Sequence, residues 1–284
     1  MRQGSKAVVF GGGGSVGTAW QTGLNAGWNR LDIDLTDADL IVGTSAGAAV
    51  GVQVALGHDL ERQLDRYESA RARHEAGGQT RVLNIDSSQS ERLRVMFDRG
   101  HKSGLTDKSV REYICEAALA ADTMSEEDFL LTVKYLKDES WPANYMCTTV
   151  DVDTAEFAPL TASTGGELQR GVAAAVAVPG FYPPITVAGH RYIDGGCLSP
   201  THLDLAADHE RILFIQMTDT PQRELDAIAA SGAQLFVVKP DQDSLTSFGD
   251  NMMNAANAFG AADTGLAQGL RTAAEVKEFW NPSS

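Results

Sequence analysis

Two apolar runs, each followed by a glycine-rich turn and an apolar helix, open the chain. The first run, Lys6–Phe10, leads into Gly11–Gly17 and then into a helix with an apolar residue at every fourth position: Val16, Trp20, Leu24 and Trp28. The second run, Leu40–Gly43, leads into a helical stretch over residues 45–56. Alternation of buried strands with amphipathic helices predicts a parallel sheet joined by right-handed crossovers.

Composition excludes several classes of protein. Of 284 residues, 43% are hydrophobic, which is enough to bury a large core and excludes intrinsic disorder. The 23 Lys and Arg against 38 Asp and Glu give a net charge of −15, so we expect no nucleic-acid partner, because phosphate contacts need clustered cations. The three cysteines lie far apart in the sequence, and no targeting segment is visible, so we expect a cytoplasmic protein.

We expect one domain over residues 1–284, with an insertion at about 61–104 and a C-terminal helical segment at about 243–284. The window 62–111 holds 11 Lys and Arg against 7 Asp and Glu, whereas the rest of the chain is strongly acidic. This basic region has two interpretations: a lid over the edge of the sheet, or a pair of solvated helices. As a lid it would offer a peripheral contact for an anionic membrane.

A serine stands at the corner between the second strand and its helix. Gly43-Thr44-Ser45-Ala46-Gly47 has the Gly-x-Ser-x-Gly pattern of a nucleophile elbow, in which a sharp turn lifts the serine hydroxyl clear of the sheet. Gly43 and Gly47 allow the close backbone approach that such a turn needs. Ser45 is therefore the candidate nucleophile.

The glycine loop between the first strand and its helix is a candidate anion site. Backbone amides of Gly12, Gly13 and Gly14, together with the helix N-terminus, form a positively polarised concavity that can serve as an oxyanion hole. With Gly17 the loop also fits the G-x-G-x-x-G dinucleotide pattern. The acidic residue expected about twenty positions later, after the second strand, is absent.

A nucleophilic serine needs a base. Asp194, at the end of the short strand Arg191–Asp194 and held by Gly195 and Gly196, could accept the serine proton in a dry pocket. The alternative interpretation is a turn aspartate, since Asp-Gly is a common turn. A histidine base, His202 or His209, is the other option and would make the protein a Ser-His-Asp esterase.

The order of these motifs resembles the patatin-like phospholipase family. The resemblance includes the glycine loop, Gly-Thr-Ser-Ala-Gly, the segment 177–184, and Asp-Gly-Gly, and it covers residues from about 6 to 216. It implies a three-layer α/β/α fold with a mainly parallel central sheet and a helical lid-like insertion. It also implies a Ser–Asp dyad of Ser45 and Asp194, an oxyanion hole at Gly12, Gly13 and Gly14, and hydrolysis of lipid acyl esters without a metal or other cofactor.

One position departs from the family. Val16 stands where many members carry Arg or Lys, which removes a side-chain cation from the glycine loop and argues more for acyl esters in general than for phospholipids. Two further hypotheses remain open. The chain could be a regulator that binds a nucleotide or acyl group without turnover, and the stretch 251–259 could either line an acyl pocket or belong to the ordinary core.

Overall fold

The structure, a computed structural model, describes residues 2–76 and 108–282. Most of the expected insertion at 61–104 lies outside these residues; its first part is a helix, Glu61–Glu75. Within the described ranges, no helix combines the length and the apolar character needed to span a bilayer.

Five parallel strands form the central sheet, in the spatial order β3-β2-β1-β7-β8. Their bounds are β1 Arg2–Phe10, β2 Leu40–Gly43, β3 Tyr145–Cys147, β7 His209–Ile215 and β8 Gln234–Val238. A second, antiparallel sheet has the order β4-β6-β5, with β4 Thr149–Asp151, β5 Ile185–Val187 and β6 His190–Asp194. The predicted mainly parallel central sheet is confirmed.

Helices flank the central sheet. In chain order they are α1 Gly14–Asn29, α2 Ala46–Ala55, α3 Glu61–Glu75, α4 Lys108–Ala120, α5 Glu126–Leu130, α6 Leu168–Ala175, α7 Gln222–Ser231, α8 Gln242–Phe248 and α9 Ala255–Trp280. Short 3₁₀ turns lie at 131–136, 162–164, 195–197 and 203–206. The C-terminal helix begins at Ala255, where the Asn254 side chain caps it by accepting the Ala256 N–H.

Alternate residues of the strands point to opposite faces of the sheet. Val8 and Phe10 of β1 pack into the larger core together with α1, α2 and α9, whereas Ala7 and Val9 pack against the turn at 203–206 and Ile228 of α7. Both faces are therefore covered, which is why the strands of the central sheet are apolar almost throughout.

The backbones of α1 and α9 are in direct contact along a stripe of glycines. A β-carbon at Gly265 would collide with the Trp20 carbonyl, and one at Gly23 would collide with the Ala262 carbonyl. Trp20 is also tied to α9, because its indole N–H donates to Gln268 Oε1 (3.2 Å). This contact fixes α1, and with it the glycine loop at its N-terminus.

Candidate active site

The carboxyl ends of β1 and β2 carry the glycine loop and the serine corner, as expected for a site in a parallel α/β sheet. Ser45 lies between β2 and α2 with φ 52° and ψ −122°, a left-handed backbone that is unfavourable for a serine. Gly47 permits this corner, since a β-carbon there would collide with the Phe10 carbonyl. The sharp turn predicted for the pentapeptide is present.

Asp194 lies at the end of β6 and is almost fully buried. Burial raises the pKa of its carboxyl to about 7, although the nearby Ser45 hydroxyl and the hydrogen bond from the Gly196 N–H (2.8 Å) favour the ionised form. The two side chains, 149 positions apart in the sequence, lie close enough in the fold for the hydroxyl to affect the pKa of the carboxyl. A carboxyl with a pKa near 7 is suited to accept a proton at neutral pH.

Thr148 joins the serine corner to the aspartate turn. Its N–H donates to the Gly43 carbonyl (3.0 Å) and its carbonyl accepts from the Gly195 N–H (3.1 Å). Its hydroxyl donates to Thr44 Oγ1 (2.9 Å). Sequence reasoning missed this residue, although its place at the carboxyl end of β3, beside β2, was a usable signal.

The motif glycines occupy these same turns. Gly195 must remain small, because a β-carbon there would lie 2.5 Å from Thr148 Oγ1. Gly43 ends β2 against α2, Gly17 lies in the first turns of α1, and Gly196 supplies the N–H that holds Asp194.

The glycine loop does not offer all three expected amides. The Gly12 N–H already donates to the carbonyl of Pro200 (2.8 Å). Gly13 is the N-cap of α1 and Gly14 its first residue, where backbone N–H groups have no acceptor within a helix. The structure therefore leaves Gly13 and Gly14, and not Gly12, as the available amides.

A cavity of about 300 Å³ contains the Ser45 side chain. The N-terminal residues of α1 and α2 line it on one side, and side chains of several helices and loops enclose the rest. The described lining residues carry no ionised side chain: Gly14, Ser15, Thr18, Ser45, Ala46, Ala49, Tyr67, Phe129, Thr132, Val176, Val178, Tyr182, Met253 and Ala258. A mainly apolar space of this size suits a hydrocarbon chain.

Two segments identified from the sequence contribute to this lining. Tyr182, from the segment 177–184, stacks on Phe129 with 4.4 Å between ring centroids. Met253 and Ala258 come from the stretch 251–259, for which the sequence left a pocket wall or core packing open. That stretch does both, because Phe259 packs in the interior and does not line the cavity.

The two candidate histidines lie in different places, and neither is hydrogen-bonded to Ser45. His202 Nδ1 is 3.3 Å from Thr44 Oγ1, its ring stacks on Phe157, and burial lowers its pKa to about 3. His209 begins β7 opposite Arg2, at the amino edge of the sheet. Since a strand rises roughly 3.3 Å per residue, His209 is roughly 20 Å along β7 from the edge that carries Ser45.

No cluster of metal-binding side chains occurs within residues 2–76 and 108–282. Asp151, at the end of β4, accepts the N–H groups of Asp153 and Thr154 (both 3.0 Å), which is turn chemistry.

An α/β fold with a strained serine at a strand–helix corner, opening into an apolar cavity, is the architecture of hydrolases that cleave carboxylic esters. The chain belongs to the patatin-like phospholipase family, whose model matches residues 8–207. Members of this family are lipid acyl hydrolases, and the protein is accordingly a hydrolase of ester bonds.

Among solved structures, the chain is similar to VipD from Legionella pneumophila, with a TM-score of 0.46 and 11% sequence identity. That match covers 95% of this chain and 67% of VipD. No curated protein sequence matches the chain.

Proposed function

We propose that the protein hydrolyses acyl esters of lipids through an acyl-enzyme on Ser45, with Asp194 as the base. The observation that supports this proposal is the proximity of the Ser45 hydroxyl, at a cavity with an apolar lining, to a buried Asp194 whose pKa is about 7. A base of this pKa is half ionised near neutral pH, so it can both take and return a proton.

In the first half-reaction, Ser45 Oγ attacks the ester carbonyl carbon while its proton moves to Asp194. The resulting oxyanion is stabilised by the amides of Gly13 and Gly14 and by the positive ends of α1 and α2. When the tetrahedral intermediate collapses, the leaving alcohol takes the proton from Asp194, and the acyl group stays on Ser45.

In the second half-reaction, water attacks the acyl carbonyl and gives a proton to Asp194. Collapse of this intermediate breaks the bond to Ser45 Oγ, which receives the proton back, and the carboxylic acid is released. The same carboxylate thus serves both steps, and the reaction needs no other titrating group.

The cavity favours the acyl part of the substrate over a charged head group. Its described lining is neutral, and Val16 is buried, with its N–H donating to the Met252 carbonyl (3.0 Å). Neither feature provides a cation for a phosphate. We therefore propose acyl esters as the substrate class, with phospholipids as one group among them.

The deciding experiment is covalent labelling with a fluorophosphonate, read by intact mass. Wild-type protein should gain one adduct, Ser45→Ala should gain none, and Asp194→Asn should react about 10²-fold more slowly or worse. Ser163→Ala, in an exposed turn, is the matched control and should label like wild type. An adduct that persists in Ser45→Ala would overturn the proposal.

Two further variants and one ligand test separate the alternatives. His202→Gln and His209→Gln should keep their labelling, whereas a Ser-His-Asp esterase would lose it in one of them. A nucleotide-binding regulator would instead show a rise in melting temperature with nucleotide and no labelling at all.

We further propose that the basic region, residues 62–111, provides a peripheral contact with anionic membranes. In its described part, Arg71 pairs with Asp263 and Arg62 lies near Asp59, so the local charge is partly neutralised within the fold. Each remaining cation near an anionic surface contributes about 1 kcal/mol. Vesicle binding should rise with anionic lipid and fall with salt; indifference to both would contradict this contact.

A further inference from the structure

Glu224, in the first turn of α7, is completely buried and lies outside the residues matched by the family model. Its carboxylate accepts hydrogen bonds from Ser199 Oγ (2.5 Å), Thr201 Oγ1 (2.6 Å) and the Leu203 N–H (2.8 Å), and a longer one from its chain neighbour Arg223 Nη2 (3.3 Å). A buried carboxylate costs several kcal/mol unless it is hydrogen-bonded in this way. The three shorter hydrogen bonds come from one short segment, residues 199–203, which we call the anchored segment.

The anchored segment contacts all three motifs of the active site. The Pro200 carbonyl accepts the Gly12 N–H (2.8 Å) and thereby holds the glycine loop. The Ser199 N–H donates to the Gly195 carbonyl (3.2 Å), next to Asp194, and His202 Nδ1 lies 3.3 Å from Thr44 Oγ1, next to Ser45. No other described carboxylate is hydrogen-bonded to this segment.

The hydrogen-bond pattern requires an accepting oxygen at both ends of the Glu224 carboxyl group. Ser199 Oγ already accepts the N–H groups of Thr201 and His202 (both 3.2 Å), so its one proton must be donated to Glu224 Oε1. The other oxygen, Oε2, faces the Leu203 N–H, which can only donate. Both oxygens must therefore accept, and a glutamine, with one oxygen and one NH₂, leaves a conflict in either orientation.

We propose that Glu224 is a positioning residue for ester hydrolysis. It fixes the anchored segment and, through the Pro200 carbonyl and Gly12, sets the glycine loop at the distance from Ser45 that oxyanion stabilisation needs. The inference rests on the function proposed above for Ser45 and Asp194. It adds a residue that contacts no substrate and acts only through the backbone it holds.

The first test compares Glu224→Gln with Asp151→Asn. Asp151 is the matched control, because it is also buried and accepts three hydrogen bonds, but from Asp153 and Thr154. With rates normalised to fluorophosphonate-titrated sites, Glu224→Gln should lose about 10²-fold in kcat with KM within about twofold, as expected for a small misplacement of a catalytic loop. A kcat per site equal to that of Asp151→Asn would overturn the inference.

The second test does not depend on turnover. Hydrogen exchange of the Gly12 amide, measured in a Ser45→Ala background, should become faster when Glu224→Gln is added and should not change with Asp151→Asn. Wild-type protein that never labels would overturn the proposed function. Normal labelling combined with unchanged kcat and unchanged Gly12 protection in Glu224→Gln would overturn only the positioning role.

If Glu224→Gln does not fold, two milder variants test the positioning role of Glu224. Ser199→Ala and Thr201→Val each remove one donor to Glu224 without burying an unpaired charge. Each should lower kcat several-fold at unchanged KM, and the double variant Ser199→Ala/Glu224→Gln, where it folds, should be no worse than Glu224→Gln alone. Folded variants with wild-type kcat would overturn the inference.

Discussion

The carbonyl of Met252 accepts the N–H of Val16 at 3.0 Å, so the C-terminal part of the chain holds the first turn of α1. This N–H has no acceptor inside its own helix. Met253 and Ala258 extend the contact by lining the cavity that contains Ser45. Residues beyond those matched by the family model, 8–207, thus complete the site.

Hydrolysis should depend on the ionisation of Asp194. Because burial raises the pKa of this carboxyl to about 7, kcat/KM should rise with pH and level off above about pH 7. His202, with a pKa of about 3, cannot produce a transition in this range. Initial rates with a neutral p-nitrophenyl ester, measured from about pH 5 to about pH 9, test this. A flat profile would contradict the role of Asp194 as base.

Asp194→Asn should stabilise the protein while it removes the base. The pKa of the carboxyl rises from 3.8 in the unfolded chain to about 7 in the fold, so ionised Asp194 disfavours the folded state. Its cost to stability is absent below about pH 4, grows between about pH 4 and pH 7, and is constant above. Urea unfolding of both proteins should therefore show a gain for the variant at pH 8 and none at pH 4.

Equal stability of the two proteins at pH 8 would contradict this expectation. Asp151→Asn provides the comparison, because that carboxylate is stabilised by three hydrogen bonds and its loss should destabilise the fold.

Gly265→Ala should destabilise the fold, since the added β-carbon collides with the Trp20 carbonyl and separates α1 from α9. Gly260→Ala, in the same helix, is the matched control. Its β-carbon would lie at an ordinary distance, 3.5 Å from Ser247 Cβ, so the change should be neutral or should stabilise by up to about 1 kcal/mol. Thermal melts should give a lower melting temperature for Gly265→Ala than for Gly260→Ala. Equal melting temperatures would show that α1 and α9 can move apart without loss of stability.

Ala49→Leu should shorten the acyl chain that the cavity accepts. Ala49 lies one turn after Ser45 and lines the cavity, so the larger side chain takes the space of about three methylenes. At about 0.8 kcal/mol for each methylene, the ratio of kcat/KM for butyrate over decanoate esters should rise on the order of tens of fold. Ala55→Leu, at the end of α2 and outside the lining, should leave the ratio unchanged.

If Ala49→Leu left the butyrate-to-decanoate ratio of kcat/KM unchanged, the acyl chain would have to lie in some other part of the protein.

The alternation of strands and glycine turns was sufficient to predict the parallel sheet, because β1 and β2 are short apolar runs that end at glycines. The pairing of Ser45 with Asp194 came from motif order and family resemblance and remains a prediction, and the fold brings the two side chains near each other. The Gly12 amide was misjudged, since nothing local to a glycine loop reveals an acceptor as distant as Pro200.

Long-range contacts account for what the sequence did not reveal. Glu224 looks like an ordinary acidic residue in the first turn of a surface helix, and only the fold places its carboxylate against Ser199 and Thr201. For Thr148, the sequence offers only its place at the end of β3, and the fold supplies its three partners from two other segments.

The shared lining of the cavity has a consequence for biosynthesis. The glycine loop, Ser45 and Asp194 all leave the ribosome before α9, which supplies Ala258 and packs along α1. Until α9 arrives, the apolar groove beside the nucleophile faces water, and the nascent chain exposes surface prone to aggregation. The cavity beside Ser45 is therefore complete only after this late helix has docked.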